Sequence, residues 1–307
     1  MKTPLITAIV STYNAERFIR GCLEDLVQQT IFEDVEVLII DSGSQQAEAS
    51  ICASFVDAYP NIRFVRTERE TLYTTWNRAI AMAKGRYLTN ANTDDRHRHN
   101  AFEILAAVLE KSPETALTYA DQFISNEENE TYETCKARDA KHRRWPDFTS
   151  DDLMLRCITG SQPMWRSALH RRHGTFNTHY RIAADYDLWM RFAQTEQFQH
   201  VPEILGVFFD SPVTLSGANN HWQVDVETME IKLHYLKKSP WLHSKNIRSQ
   251  VSQRLFATGY QYIQYAKNPI KAKPFIKAAW KLNPLDPSII KTYILRCVLG
   301  STIGLAK

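Results

Sequence analysis

Residues 5–11 form a short run that is mostly apolar or β-branched, and a helical period follows in which Phe18, Ile19, Cys22, Leu23 and Leu26 fall on one face. A strand and then a helix account for both. The alternation recurs three times: residues 35–40 before a helix through Ile51 and Phe55, residues 62–65 before 75–83, and residues 86–89 before 100–111. This order predicts an α/β fold, with a mostly parallel sheet covered by helices on both faces. In the last of these helices Phe102, Leu105, Ala106 and Leu109 mark the buried stripe.

Residues 121–150 break the pattern. They are polar and charged, with Asn126-Glu127-Glu128-Asn129-Glu130 and Lys141-His142-Arg143-Arg144-Trp145, and read as a long surface excursion. Beyond them, residues 162–165 suggest a strand, 182–195 a helix, and 198–209 two short extended pieces around Pro202. The body is expected to cover residues 1–220. Residues 221–307 read as a basic helical region with helices separated by Pro240, Pro269, Pro274, Pro284 and Pro287. Trp280 and the turn Asn283-Pro284-Leu285-Asp286-Pro287 resemble one helical-repeat unit.

A chain of 307 residues, 44% hydrophobic and 23% charged, can bury one large core and carry an appendage. No apolar run approaches the roughly 18 residues that span a bilayer. The first residues lack the basic start and small-residue cleavage site of a signal peptide, so the expectation is a cytoplasmic protein. Cys22, Cys52, Cys135, Cys157 and Cys297 lack C-x-x-C spacing and read as reduced, packed thiols. The net charge of +3 conceals an asymmetry: from Ser239 onward eleven Lys and Arg face one acid, Asp286, for a net +10, while the preceding residues carry −7. An acidic body without a nucleic-acid motif excludes a dedicated DNA or RNA binder. The tail, with an apolar stretch at 289–305, fits peripheral attachment to an anionic membrane surface at its inner face. It fits almost as well a soluble helical subdomain that packs Tyr260, Tyr262, Trp280 and Ile289.

Ligands of open parallel sheets bind beyond the carboxyl ends of the strands, so polar clusters directly after strands are the ones that matter. Ser11-Thr12-Tyr13-Asn14, Asp41-Ser42-Gly43-Ser44 and Asn92-Thr93-Asp94-Asp95 stand there, and Asp185 opens a later helix. Each cluster alone is ordinary turn chemistry, whereas the series in this order is not. Neither G-x-x-x-x-G-K nor G-x-G-x-x-G occurs in these loops, which excludes a P-loop and a dinucleotide fingerprint.

Taken together, TAIVSTYNAE (7–16), VEVLIIDSGS (35–44), LYTTWNRAIAMAKGRYL (72–88), NTDD (92–95) and AADYDLWMRFA (183–193) resemble the family 2 glycosyltransferases of GT-A fold, over about residues 4–215. The resemblance implies a nucleotide-sugar pocket lined by Thr12, Tyr13, Asn14, Glu16, Asn77, Asn92 and Asp94, with Asp41 reading the base. A carboxylate there can accept the imino hydrogen of uracil or the N1 and N2 hydrogens of guanine. Asn92-Thr93-Asp94 stands where the family has its Asp-x-Asp motif, so Asp94 and Asp95 are the implied ligands of Mg²⁺ or Mn²⁺, which offsets charge on the departing diphosphate. Asp185 matches the position of the catalytic base, which accepts the proton of the attacking hydroxyl. Asp187, two residues on, faces another side of the helix.

Two departures stand out: Asn92 replaces the first acid of the motif, and residues 208–216 include Phe209, Asp210 and Ser211 where some relatives carry a metal-binding His. Arg96, His97, Arg98 and His99 read as exposed helix-entry residues whose cations lie near phosphate, and they lack the third ligand a zinc site needs. Gly160, Ser161, Gln162, Trp165 and Arg166 correspond loosely to the acceptor side, where an aromatic ring could stack on a sugar. The implied activity is metal-assisted, inverting transfer from a nucleotide sugar, UDP-sugar first, to a saccharide or lipid-linked hydroxyl acceptor, in polysaccharide or glycoconjugate synthesis. Asn92 motivates the alternative of a catalytically silent nucleotide- or carbohydrate-binding protein. A sugar nucleotidyltransferase would open with a Gly- and Arg-rich loop that residues 11–17 lack.

Overall fold

The computed structural model describes residues 3–215 and 217–295. The chain divides into two compact units, one of residues 1–148 and 158–218 and the other of 149–157 and 219–307.

The first unit opens with the alternation read from the hydrophobic pattern: β1 (Ile6–Thr12), α1 (Glu16–Val27), β2 (Val35–Asp41), α2 (Glu48–Ala58), β3 (Ile62–Arg66), α3 (Leu72–Met82) and β4 (Tyr87–Asn90). It continues through β5 (Arg96–His97), α4 (Ala101–Lys111), β6 (Thr115–Ser125), α5 (Tyr132–Ala137) and β7 (His142–Arg143). After α6 (Ser150–Leu155), which belongs to the second unit, come β8 (Met164–Arg166), α7 (Leu169–His173), α8 (Ala184–Phe192) and β9 (Gln197–Phe209). Among the described residues nine strands form one sheet in the order β3-β2-β1-β4-β8-β6-β9-β5, with β7 on β6. The first four strands are parallel, and Thr12 lies level with Asp41 where β1 and β2 end. Strand β8 runs antiparallel between β4 and β6, β9 is parallel to β6, and β5 is antiparallel to β9.

All residues of β2 are buried, as expected of a central strand covered on both faces. Ile6, Ala8 and Val10 pack with the α1 face of Ile19, Cys22, Leu23 and Leu26, and with Phe102, Leu105 and Leu109 of α4. Gly85 allows the chain to enter β4 close to β1, because a Cβ there would stand 2.3 Å from the Thr7 backbone nitrogen.

Two expectations fail in the second half of this unit. Residues 121–125 are not part of a surface excursion, since all of β6 is buried. Behind it Tyr132, Cys135 and Ala140 pack with Phe123 and Val207 as a small core. A strand covered on both faces shows no alternation, and its polar residues are buried because they have partners: Asp121 Oδ1 accepts the Trp145 N–H (2.9 Å) and lies 2.8 Å from His200 Nε2. Residues 198–209 are likewise one strand rather than two pieces. The register against β6 slips between Val201 and Ile204, so Pro202 occupies a bulge where no ladder hydrogen bond is lost.

The second unit holds α9 (His221–Tyr235), α10 (Lys245–Gln264), α11 (Pro269–Leu282) and α12 (Pro287–Tyr293) together with α6. Asn268 and Asp286 cap α11 and α12, and Pro269 and Pro287 follow in the first turn, where no N–H is needed. Pro274 lies inside α11 rather than between helices. Trp241, Ile247, Val251, Phe275, Ile276 and Ile289 are buried. Residues 149–157, which the sequence reading keeps with the body, are tied in by the buried Lys232, whose Nζ donates to the Leu155 carbonyl (2.9 Å). No helix among the described residues is long and apolar enough to cross a membrane. Cys22, Cys52 and Cys135 are buried thiols outside any disulfide, and burial pushes Cys52 and Cys135 up to about 12. Cys297 and the end of the 289–305 stretch lie outside the described residues.

Candidate active site

The carboxyl ends of β1 and β2 carry two loops that are hydrogen-bonded to each other. Asn14 adopts φ 50°, a left-handed conformation that Asn tolerates better than most residues, and its Oδ1 accepts the Gln45 N–H (2.8 Å). The Asn14 N–H donates to Ser44 Oγ (3.1 Å), Glu16 Oε2 accepts from the Ala47 N–H (3.3 Å), and the buried Glu48 accepts from the Ala15 N–H. These bonds fix the backbone of residues 14–16 against residues 44–48. Asp41 is fully buried; its Oδ1 accepts the Ser44 N–H (2.8 Å) and its Oδ2 lies 3.1 Å from Arg66 Nη1. Tyr13 is exposed at the edge, with the Arg69 guanidinium 3.5 Å above its ring. Thr12 Oγ1 and Glu48 Oε2 are buried without a hydrogen-bond partner, and Asp41 Oδ2 has only its ion pair with Arg66. Buried polar atoms are rarely left so, and these gather where a sheet of this topology takes its ligands.

The loop after β4 presents the acids. Asp95 is buried, and its two oxygens accept from the Asn92 side-chain amide (3.1 Å) and the Phe209 N–H (3.1 Å), with the Ser161 hydroxyl also donating. Burial and the neighbouring Asp94 charge raise its pKa to about 7. Burial also raises Asp94, which is only partly covered, and Arg17 opposes that rise. Asp94 is therefore the more accessible carboxylate, and Asp95 and Asn92 brace the loop that presents it. The amide of Asn92 explains how a neutral residue serves here: it donates to a carboxylate, which a second acid could not do unless protonated.

Arg96 and His97 do not lie exposed at a helix entry. Arg96 is buried in a bidentate pair with Asp25, Nε to Oδ2 and Nη2 to Oδ1 at 2.7 Å each, and its Nη1 donates to the Asn129 carbonyl (2.8 Å). The His97 N–H adds a bond to Asp25 (2.8 Å), while its ring packs edge-on to Phe102 and burial lowers its pKa to about 4. The Arg96 side chain and the His97 backbone lock the acidic loop to α1, and neither side chain is exposed to meet phosphate. Arg98 pairs with Glu203 (3.0 Å).

Helix α3 links both ends of the site. Trp76 Nε1 donates to Ser11 Oγ (3.0 Å), and one turn earlier the Tyr73 hydroxyl lies 3.0 Å from Asp185 Oδ1 and 2.5 Å from the Ile182 carbonyl. The Tyr186 N–H also donates to Asp185 Oδ1 (2.8 Å), so that oxygen is oriented from two directions. Asp187 is buried and paired with Arg191 (2.5 Å), a bond within α8. Asn77 uses both groups of its amide on the backbone of Phe176, at 2.8 and 2.9 Å. Trp165 is not available to stack on a sugar: it is fully buried among Trp189, Phe176 and His170. Arg166 is spent on the carbonyls of Leu109, Ser112 and Thr115. Asp25, Glu48, Tyr73 and Gln122 escape the sequence reading, because each acts through partners distant in the chain. Only the acid on the polar side of an otherwise regular helix, Asp25, left a trace.

A model of "Glycosyl transferase family 2" matches residues 7–172 of this chain. The chondroitin synthase of Escherichia coli is 23% identical over 203 residues, 66% of this chain and 28% of the synthase's own length. Among solved structures, S. aureus TarS in complex with UDP-GlcNAc superposes with a TM-score of 0.67 at 16% identity, over 91% of this chain and 83% of that one. A mannosyltransferase from Pyrobaculum calidifontis in complex with GDP-Man and Mn²⁺ gives 0.56 at 18% identity, over 99% and 77%. The structural likenesses show the fold, a GT-A sheet with helices on both faces and further helices after it.

Proposed function

The chain belongs to glycosyl transferase family 2, and from that premise we propose that it moves a sugar from a nucleoside diphosphate, UDP first, to a hydroxyl acceptor with inversion. The observation that carries this reading is the pair of buried polar atoms without a hydrogen-bond partner, on Thr12 and Glu48, beside the buried Asp41 carboxylate at the carboxyl edge of β1 and β2. The backbone there is already held in place, so a nucleotide meets a pocket that needs little reordering. Asp41 reads the base, Tyr13, Asn14 and Glu16 shape the pocket, and Asn92 and Asp94 meet the diphosphate. Asn77 acts through the segment it holds at Phe176.

The residues fit a divalent ion of the hard, oxygen-ligated kind. Among the described residues no group of three or more His, Cys, Asp and Glu gathers into a closed cage. One accessible carboxylate beside substrate phosphates is how Mg²⁺ is usually held. Asp94 would bind Mg²⁺ or Mn²⁺ together with the donor, and Asp95 would support the loop. When bound, the ion supplies positive charge to the departing diphosphate.

Asp185 accepts the proton of the attacking hydroxyl as the new C–O bond forms. With Oδ1 oriented by Tyr73 and Tyr186, the carboxylate needs no reorganisation at that moment, and attack opposite the leaving group inverts the anomeric centre. The acceptor is a saccharide or a lipid-linked glycan.

Calorimetry with UDP-, GDP- and other nucleotide sugars tests the reading. One nucleotide sugar should bind and turn over with Mn²⁺, and Asp41→Ala should weaken it and flatten discrimination among bases by roughly tenfold or more, the value of one buried hydrogen bond to a charge. Failure of every donor to bind would sink glycosyl transfer. A variant that keeps full discrimination would move base reading elsewhere.

The tail supports peripheral attachment at the inner face of the membrane. Tyr265, Ile270 and Leu285 are exposed, beside Lys267, Lys271, Lys273, Lys277 and Lys281. Several basic residues at about 1 kcal/mol each give salt-sensitive binding to anionic lipid. The full chain should sediment with anionic but not neutral liposomes; equal sedimentation with both, or with neither, would remove the membrane role.

A further inference from the structure

The basic run at 141–145, left without a role above, forms β7 and the turn after it. Its Arg143 guanidinium lies 5.3 Å from the Trp145 ring centre and 5.9 Å from that of Phe208, so the cation is within reach of two aromatic side chains. Lys141, Arg143 and Arg144 are exposed, and among the described residues no carboxylate forms an ion pair with any of them.

Trp145 is half-buried, and its indole N–H is buried without a hydrogen-bond partner. The indole comes close to the loop because residue 160 is Gly at φ +66°: a Cβ there would stand 3.1 Å from Trp145 Nε1 and 2.7 Å from Gln122 Oε1. That loop leads directly to the acids. Gln122 Nε2 donates to Ser161 Oγ (2.7 Å), and the Ser161 hydroxyl donates to Asp95. On the other side of the stack, Phe208 precedes Phe209, whose N–H donates to Asp95 (3.1 Å). The Trp145 ring thus lies against the loop of Ser161, and Phe208 adjoins Phe209 in the chain, two residues that touch Asp95, next to Asp94.

We propose that Arg143 and Trp145, with Phe208, form an acceptor subsite for an anionic glycan, one that carries phosphate or carboxylate groups; this rests on the glycosyl-transfer reading. A sugar ring lays its C–H face on an aromatic side chain, and a guanidinium binds phosphate or carboxylate through two parallel hydrogen bonds. The donor diphosphate is assigned to the edge of β1, β2 and β4, whereas this stack stands on β7 and β9, across β8 and β6 in the sheet. An acceptor chain lying there would bring its terminal hydroxyl to the acidic loop from the side opposite the nucleotide.

The test is calorimetric binding of tetragalacturonate, a 6-phosphorylated tetramannoside and maltotetraose to the full chain at low salt. At least one anionic glycan should bind about tenfold or more tightly than maltotetraose, and Arg143→Gln should remove most of that preference. Trp145→Phe keeps a ring but shrinks the apolar face, and should weaken all bound glycans by less. The carboxylate and phosphate arms identify which anion is preferred. UDP affinity should stay unchanged in both variants, since a loss would assign Arg143 to the donor instead and overturn the proposal. Equal binding of all three glycans, no binding, or an unaffected Arg143→Gln would also overturn it. Turnover of a nucleotide sugar without glycan preference would leave the transferase reading standing alone; glycan preference without any nucleotide-sugar turnover would do the reverse.

Discussion

Asp185→Asn is expected to lower transfer by roughly 10²- to 10⁴-fold while donor affinity stays near that of the unaltered chain. The substitution preserves size and lets the side-chain oxygen still accept from Tyr73 and Tyr186, the two groups that orient Oδ1. What it removes is proton acceptance. An unactivated sugar hydroxyl is a poor nucleophile, so the loss should appear in kcat and kcat/KM together, with little change in donor Kd. Single-turnover assays with a saturating donor would measure it, and near-normal rates would end the assignment. Asp187→Asn is the natural comparison, because Asp187 is committed to Arg191 within α8 and its loss should act on stability.

Asp94→Ala is expected to weaken Mn²⁺-dependent binding of the preferred nucleotide sugar by roughly 100-fold, equivalent to about 3 kcal/mol, while binding of the bare nucleoside changes little. The nucleoside meets Asp41 and the β1 loop, and the diphosphate meets the acidic loop, so the two ligands separate a metal role from a structural one. Titrations with and without Mn²⁺ read the difference. Equal losses for nucleoside and nucleotide sugar would mean that Asp94 supports the fold of the loop. Asp95 is the poorer choice for this test. Its oxygens already accept from Asn92, Phe209 and Ser161, so removing it should loosen the loop whatever the ligand.

The four leading strand and helix pairs were legible because their signals are local. The faces of α1 and α4 repeat at the helical period, and β2 is an unbroken apolar run from Val37 to Ile40, up to Asp41. The polar clusters that follow β1, β2 and β4 were legible as candidates because strand ends are where such a sheet takes ligands. Residues 115–125 and 197–209 were harder. Pairing of β6 with β9 buries polar side chains in partnerships that reach across 79 residues, as between Asp121 and His200, and no window along the chain contains both partners.

The same distance separates what the sequence by itself determined from what only the tertiary structure decided. The chain determines the order of its elements, the type of side chain at each strand end, and the charge of its tail. Whether Arg96 faces phosphate or Asp25 was decided across 71 residues, and the orientation of Asp185 by Tyr73 across 112. Trp165 reads as an aromatic residue of the acceptor side and Trp145 as part of a surface excursion, yet the first is sealed in the core and the second lies half-buried beside Gly160. Residue type states which interactions a side chain can make. Burial and the partner brought to it by the sheet select which one it does make, since a polar atom removed from water must find its hydrogen bond wherever the fold supplies one.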